Sequence, residues 1–208
     1  MNPILIVPWD PTAGRPSGPA ELPGYGLIDQ GDAMDLLDAA GQDPSSRWCL
    51  TAVGTDGTAA LHGCLPGPRT LDAISQAGRA IGGTWTAADL ATALGVTLEP
   101  IAKGACDHTH AEPGYRPSRK LRHLVAARNA RCTAYGCGRP ATACDYDHTV
   151  PWEQSQLTCE CNLAPLCRRH HMMKQGQGWK LEQTEPGVLV WVTPAGLTRT
   201  TTPTSYAA

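Results

Sequence analysis

The sequence predicts an α+β protein built from short helices and strands joined by many turns. Runs rich in β-forming residues alternate with segments whose apolar residues recur at helical spacing, and the chain contains 22 glycines and 18 prolines. Apolar residues make up 41% of the chain, enough for a hydrophobic core, but there is no phenylalanine. We therefore expect a small α/β part over residues 1–102, a linker over 103–115 and a second part over 116–208.

The first part should contain one helix, then a hairpin, then two short helices. Asp29 or Asp32 is placed to cap a helix whose apolar face holds Met34, Leu36, Leu37 and Ala40. Two β-rich runs around the turn sequence GTDG predict a hairpin, and Cys49 and Cys64 within it are expected to belong to the core. The predicted ranges are residues 29–40 for the first helix, 48–53 and 58–64 for the strands, and 70–80 and 86–94 for the later helices.

The second part has clearer signals. Ser118 is placed to cap a helix that continues to about residue 131. Residues 142–150 are expected to be extended, and Asn162 is placed to cap a helix over residues 163–175. Three C-terminal strands are predicted around Pro/Gly turns, over residues 179–183, 188–193 and 197–202.

Charge is distributed unevenly along the chain. The overall net charge is −2, but residues 1–102 carry four basic and eleven acidic side chains, whereas residues 103–180 carry twelve basic and six acidic ones. A basic segment in an acidic protein favours an anionic partner for that segment, with nucleic acid as the first candidate. A solvated, charged helix would explain the same pattern.

The cysteines indicate metal binding more than disulfides. No apolar run is long enough to span a membrane, and the first residues lack the basic region of a secretory signal. We therefore expect a cytoplasmic protein whose nine cysteines meet a reducing environment, where clustered cysteine is typical of a metal site. The missing signal and the odd cysteine count argue against a secreted disulfide module.

Two ligand pairs predict a structural zinc. Cys132 and Cys137 flank a glycine-containing turn, and Cys167 and His170 lie three residues apart on a predicted helix, so both side chains share a face. Four such ligands with no open position are typical of structural zinc. Cys144, Cys159 and Cys161 are either reduced cysteines that bind nothing, which we favour, or ligands of a second metal.

A second constellation has the chemistry of phosphodiester hydrolysis. Asp147 and His148 are adjacent in an extended run and so point to opposite sides. A neutral imidazole is a suitable general base near pH 7, and a carboxylate with an imidazole can hold a divalent cation while leaving positions open. Asn162 could tie the intervening loop back by hydrogen bonds, and His171 could supply the second metal ligand.

The stretch CDYDHTVPW … CNLAPLCRRHHMMK resembles the HNH (His-Asn-His) endonuclease motif. With its flanks, over roughly residues 115–203, it is similar to an actinobacterial branch in which an HNH domain follows a long helical domain of unknown function 222. The resemblance implies a ββα-metal fold, two short strands and a helix around the catalytic ion. Residues 1–102 are then expected to be a truncated remnant of the upstream domain.

The resemblance also implies roles for individual residues. His148 matches the general base, Asn162 the residue that orients the base loop, and Asp147 and His171 the ligands of the catalytic ion. The structural zinc set matches Cys132, Cys137, Cys167 and His170. Because Gln175 stands where some relatives have a further histidine, the ion is expected to have two protein ligands, which favours Mg²⁺ or Mn²⁺.

The function implied by the resemblance is hydrolysis of DNA phosphodiester bonds, leaving 5′-phosphate and 3′-hydroxyl ends. The alternative is a non-catalytic, zinc-stapled DNA-binding module that kept the scaffold. In either case basic side chains should contact DNA phosphates, and the candidates are Arg119, Lys120, Arg122, Arg128, Arg168, Arg169 and Lys174.

Overall fold

The computed structural model describes residues 5–10, 13, 15–65, 76 and 86–206. The chain forms two compact units, one made of residues 1–52 and 63–99 and the other of residues 53–62 and 100–207. Helices and small antiparallel sheets occur in both, which confirms the α+β class. No helix among the described residues is long and apolar enough to cross a membrane.

Within its described residues, the first unit contains short strands and two helices. From the start of the chain to residue 100, the described elements are β1 (Trp9–Asp10), β2 (Arg15–Pro16), β3 (Ala20–Leu22), β4 (Gly26–Ile28), α1 (Gln30–Gln42), β5 (Cys49–Val53), β6 (Ala59–Cys64), α2 (Ala87–Leu94) and β7 (Glu99–Pro100). Antiparallel pairs join β1 to β2 and β3 to β4.

Both described helices of this unit begin at side-chain caps, and the cap of the first was predicted. Asp29 accepts a hydrogen bond from the Asp32 backbone N–H at the start of α1, and Thr86 with Asp89 forms a capping box at the start of α2. The apolar face of α1 differs from the prediction, because Ala33 and Leu37 are buried whereas Leu36 is 44% exposed. The helix predicted over residues 70–80 lies outside the described residues.

The two strands predicted around the GTDG turn are present as β5 and β6. The Gly54 N–H donates to the Thr58 carbonyl, and the Leu65 N–H donates to the Trp48 carbonyl. Cys49 and Cys64 were predicted to lie in the core, and this was wrong: both are exposed, and they form a disulfide. Cys49 and Cys64 lie opposite each other on the two strands, and side chains at opposite positions are close enough to bond even on an exposed face.

The second unit carries the remaining elements. They are α3 (Arg119–Arg128), a 3₁₀ turn (Ala141–Ala143), β8 (Asp145–His148), α4 (Trp152–Ser155), a second 3₁₀ turn (Glu160–Asn162), β9 (Leu163–Leu166), α5 (Arg168–Lys174), β10 (Lys180–Glu185), β11 (Val188–Val192) and β12 (Thr198–Thr201). Ser118 caps α3, and the three C-terminal strands form one antiparallel sheet in the order β10-β11-β12. These elements confirm the predictions.

One prediction in this unit was wrong: the chain after Asn162 is a strand, and the helix starts later. Strand β9 pairs antiparallel with β8, with Asp147 opposite Ala164 and His148 opposite Leu163. All four residues of β9 are buried, and Pro165 lacks the N–H that a helix interior needs. The helix α5 begins only after Cys167.

The core of this unit lies between α3, β9 and the C-terminal sheet. Leu121 and Val125 of α3 pack with Leu163 of β9. Leu166, Leu189 and Trp191 form a neighbouring cluster, and the rings of Trp179 and Trp191 meet edge to face. The strand pair β8–β9 is thereby fixed against the core from one side.

The segment predicted as a linker, residues 103–115, is bound into the second unit. The Glu112 N–H donates to the Thr158 carbonyl at 2.8 Å, and His110 Nδ1 lies 2.7 Å from the carboxylate of Glu160. The Glu160 carboxylate is buried and also accepts from the Ala102 N–H at 3.2 Å. The glycines and prolines of this segment therefore form turns, but the segment is still held against the second unit by hydrogen bonds.

Candidate functional site

The four predicted zinc ligands converge on one point. Cys132, Cys137, Cys167 and His170, here called the first cysteine group, have ligand atoms within 4.8 Å of one another. His170 Nδ1 lies 3.4 Å from Cys132 Sγ and 3.2 Å from Cys167 Sγ. The chain brings them together because a turn containing Gly136 (φ +72°) carries the first pair, and the start of α5 carries the second.

Cys144 lies beside this group without belonging to it. Its thiol donates to the Pro140 carbonyl at 3.3 Å. The backbone N–H of Cys167 donates to Cys132 Sγ at 3.3 Å. A hydrogen bond from a backbone N–H stabilises negative charge on sulfur, which is the form in which cysteine binds a metal.

The strand β8 presents its side chains alternately to two sides. Asp145 and Asp147 share the side that faces α5, and His148 faces the other side, as predicted for adjacent residues of a strand. His171 of α5 lies between the two aspartates: its Nδ1 is 2.8 Å from Asp145 Oδ2, and its Nε2 is 3.1 Å from Asp147 Oδ1. The predicted pair Asp147 and His171 is thus in contact.

Asp145 was missed in the sequence. The signal was available, because residues two apart on a strand share a face, so the pattern Asp-x-Asp places both carboxylates on the side of Asp147. What the pattern does not give is the partner, since α5 starts more than twenty residues later in the chain.

Lys174 occupies a place that differs from the one predicted. It was assigned to DNA contact, but its side chain is only 14% exposed, and its Nζ lies 2.6 Å from Asp147 Oδ2. The ammonium also donates to the His148 carbonyl. It sits on the same face of α5 as His171, three residues away, and so fixes the second oxygen of Asp147.

His148 is buried and held in one tautomer. Its Nε2 lies 2.8 Å from Thr158 Oγ1, and the Thr158 hydroxyl donates its own proton to the Gly114 carbonyl at 2.6 Å. A hydroxyl has one proton, so toward His148 it acts as an acceptor. In the neutral imidazole Nε2 therefore carries the proton and Nδ1 carries the lone pair.

The surroundings of His148 favour its neutral form. Burial is the largest cause of a lowered pKa at this imidazole, and the charge of Lys174 adds to it, whereas Asp147 and Glu153 act in the opposite direction. The ring of Tyr115 stacks on it at 5.2 Å between centroids, and Trp152 lies at 5.6 Å. A neutral imidazole with a defined lone pair is what a general base requires.

Asn162 ties down the chain after His148, as its predicted role requires. Its side chain is buried, and its Oδ1 accepts from the Val150 N–H at 2.7 Å and from the Thr149 hydroxyl at 2.9 Å. Its Nδ2 donates to the Leu157 carbonyl at 2.9 Å. One amide side chain therefore joins both ends of the loop over residues 149–157.

The basic residues divide into exposed and buried ones. Five of the seven predicted to contact DNA are exposed: Arg119, Lys120, Arg122, Arg168 and Arg169. Arg128 is only 1% exposed, so its assignment to DNA contact was wrong. Its guanidinium donates to the Asn129 side chain and to the carbonyls of Glu160 and Leu163. These three hydrogen bonds offset the hydration that the guanidinium loses on burial.

Two cysteines expected to bind nothing belong to a second cluster. Cys159 and Cys161 lie with Cys106 and His108, and the four ligand atoms, here called the second cysteine group, are within 4.8 Å of one another. This grouping favours the other alternative, that Cys159 and Cys161 are ligands of a second metal. Cys106 and His108 lie more than fifty residues before Cys159 and Cys161, so no local spacing in the sequence pairs them.

Comparison with known proteins finds relatives over part of the chain. No family model matches. The chain is 43% identical over 95 residues to the uncharacterized protein Rv3776 of Mycobacterium tuberculosis (strain ATCC 25618 / H37Rv), covering 45% of this chain and 18% of that protein. It is 44% identical over 96 residues to the uncharacterized protein Rv2100 of the same strain, covering 46% and 17%. The chain thus aligns with less than a fifth of the length of either relative, and no solved structure matches.

Proposed function

We propose that this chain is a metal-dependent DNA endonuclease of the HNH type, in which His148 is the general base and Asp147 and His171 hold a divalent cation. The observation that carries the proposal is the position of the His171 ring between two carboxylates. A neutral imidazole has one proton. If Nδ1 donates it to Asp145, the lone pair of Nε2 faces an oxygen of Asp147, and a divalent cation would fit between the two atoms.

The donor set fits such a cation. An octahedral ion with bonds of about 2.1 Å separates neighbouring ligand atoms by about 3.0 Å, and Asp147 Oδ1 lies 3.1 Å from His171 Nε2. The Asp145 carboxylate on the opposite ring nitrogen is the usual partner of a metal-binding histidine, because it fixes the tautomer and the ring orientation. Mg²⁺ or Mn²⁺ would suit a site with two protein ligands.

His148 would remove a proton from the attacking water. The hydrogen bond from Nε2–H to Thr158 leaves Nδ1 as the accepting atom, and Asn162 limits movement of the chain that follows. When bound, the cation would supply positive charge to the phosphate and to the leaving 3′-oxygen. Lys174 would hold the remaining oxygen of Asp147, so that this carboxylate keeps one orientation.

DNA is the substrate class that the charge favours. Residues 103–180 carry six more basic than acidic side chains, and the five exposed basic residues named above would contact phosphates. Contacts of this kind position a duplex without reading its sequence. We further propose that the first cysteine group binds Zn²⁺, since three thiolates and one imidazole without an open position are typical of structural zinc.

One observation favours the second candidate, a DNA-binding module without catalysis. The Lys174 ammonium already neutralises Asp147 at 2.6 Å, so an ammonium could replace the cation rather than support it. The two candidates differ in whether the chain cuts DNA when a divalent cation is added.

The test is a plasmid-nicking assay on the full chain with Mg²⁺ or Mn²⁺, with EDTA as the metal-free control. The wild type should convert supercoiled plasmid to open circles only with the cation. His148→Ala should bind DNA without nicking it, at unchanged zinc content. DNA binding without nicking by the wild type, under every divalent cation tried, would replace the endonuclease by the binding module.

A further inference from the structure

The second cysteine group has the composition of a metal site. It combines three thiols, Cys106, Cys159 and Cys161, with the imidazole of His108. Cys159 is fully buried, and Cys106 and Cys161 are half-buried. Three sulfurs cannot all be satisfied by one disulfide, and Cys106 Sγ lies 3.6 Å from Cys159 Sγ, beyond the bond length of about 2.0 Å.

The distances match those that one tetrahedral zinc imposes. Bonds of about 2.3 Å to sulfur and 2.0 Å to nitrogen place two sulfurs about 3.8 Å apart and a sulfur and a nitrogen about 3.5 Å apart. The structure has 3.6 Å between Cys106 Sγ and Cys159 Sγ and 3.5 Å between Cys161 Sγ and His108 Nδ1. The four atoms thus surround a space of the size of one ion.

The backbone supports the same interpretation. His108 has a φ of +59°, a left-handed conformation that non-glycine residues rarely adopt and that persists only where the surroundings impose it. In this conformation its ring reaches Cys161. A bond from the ring to a metal would offset the unfavourable backbone.

We propose that the second cysteine group binds a second structural zinc, separate from the one at the first cysteine group. This ion would join two segments more than fifty residues apart in sequence. Hydrogen bonds near the ligands also join the two segments. Glu160, which lies between Cys159 and Cys161, binds His110, and the Thr158 carbonyl accepts from the Glu112 N–H.

The second zinc would also position the proposed general base. Thr158, which accepts the Nε2 proton of His148, immediately precedes the ligand Cys159, and the Thr158 hydroxyl is oriented by Gly114 on the other joined segment. Losing the zinc would free both segments and with them the acceptor for His148. This consequence rests on the proposed endonuclease function, whereas the zinc site itself does not.

The test counts zinc in the full chain. The wild type, Cys161→Ser and His108→Ala are purified from zinc-supplemented cells, passed through chelating resin and measured by elemental analysis. Asp107→Asn is the matched control, because this exposed residue lies between Cys106 and His108 but belongs to neither cysteine group. Each second-group variant should carry one zinc fewer per chain than the wild type, and the control should carry the same number.

Equal zinc in His108→Ala, Cys161→Ser and the wild type would overturn the proposal. If Cys161→Ser fails to fold, His108→Ala decides, since this histidine is exposed and its removal leaves the thiols in place. Plasmid nicking by the same samples is read separately. A wild type that holds the extra zinc but never nicks DNA would contradict the proposed function and leave the second zinc standing.

Discussion

The two cysteine groups differ in the sequence spacing of their ligands and in the segment of the chain that each one anchors. The first is made of two local pairs, Cys-x4-Cys on a turn and Cys-x2-His at a helix start, and it anchors α5, the helix that carries His171. The second is made of Cys-x-His and Cys-x-Cys, and it anchors the segment that carries Thr158. One group therefore supports the side of the proposed cation, and the other supports the side of the proposed base. In the proposed function, the positioning of the catalytic residues would be divided between the two cysteine groups.

The largest effect should come from removing a ligand of the first cysteine group. Cys167→Ser removes a buried ligand at the junction of β9 and α5, and structural zinc contributes on the order of 10 kcal/mol to small folds. We expect the variant to lose one zinc, and we expect the second unit to lose its cooperative thermal unfolding. The unfolding is measured by circular dichroism. Cys144→Ser should unfold like the wild type. A Cys167→Ser protein with an unchanged melting curve would show that the first cysteine group does not stabilise the fold.

The next effect separates the base side from the cation side. His148→Ala should lower the nicking rate by about 10²–10⁴-fold, the usual loss for a general base. His171→Ala should also lose activity, but raised Mn²⁺ should restore part of it, because only the metal affinity is impaired. Met172→Ala, an exposed neighbour on the same helix, is the control and should nick normally. Equal rescue of both histidine variants by Mn²⁺ would place them in the same role.

A smaller effect is expected from the partner of His171. Asp145→Asn keeps the shape but weakens the acceptor that orients the ring, and such changes reduce metal affinity by about 10–100-fold. A titration of nicking against Mn²⁺ should shift to higher concentration with the same rate at saturation. If the half-saturating Mn²⁺ stays where it is in the wild type, Asp145 has no part in holding the cation.

The smallest effect concerns the acceptor for His148. Thr158→Val removes the hydroxyl while keeping the shape of the side chain. A hydrogen bond of this kind contributes about 0.5–1.5 kcal/mol, so kcat should fall by roughly two- to tenfold. KM for plasmid and the zinc content should not change. Thr158→Ser keeps the hydroxyl and should restore the rate. A loss in Thr158→Ser as large as in Thr158→Val would mean that the methyl group, and not the hydroxyl, matters here.

The sequence by itself determined the features that depend on near neighbours. Side-chain caps located α1 and α3, turn residues separated the C-terminal strands, and local ligand spacing identified the first cysteine group. Asp147 and His148 could be assigned to opposite faces, because alternation is a property of any strand. These inferences succeeded because the atoms concerned are within a few residues of each other.

Only the tertiary structure decided what distant segments do together. The second cysteine group, the Thr158 contact to His148 and the place of Asp145 against His171 join residues separated by between ten and more than fifty positions. Arg128 looks like any exposed arginine in sequence, yet the carbonyls of Glu160 and Leu163, more than thirty residues away, accept from its guanidinium and make its burial favourable. Strand β9 was mistaken for a helix because its apolar run fits both, and pairing with β8 settles the choice. In each case the structure is decided by the energy of a contact between distant residues, which no local sequence pattern encodes.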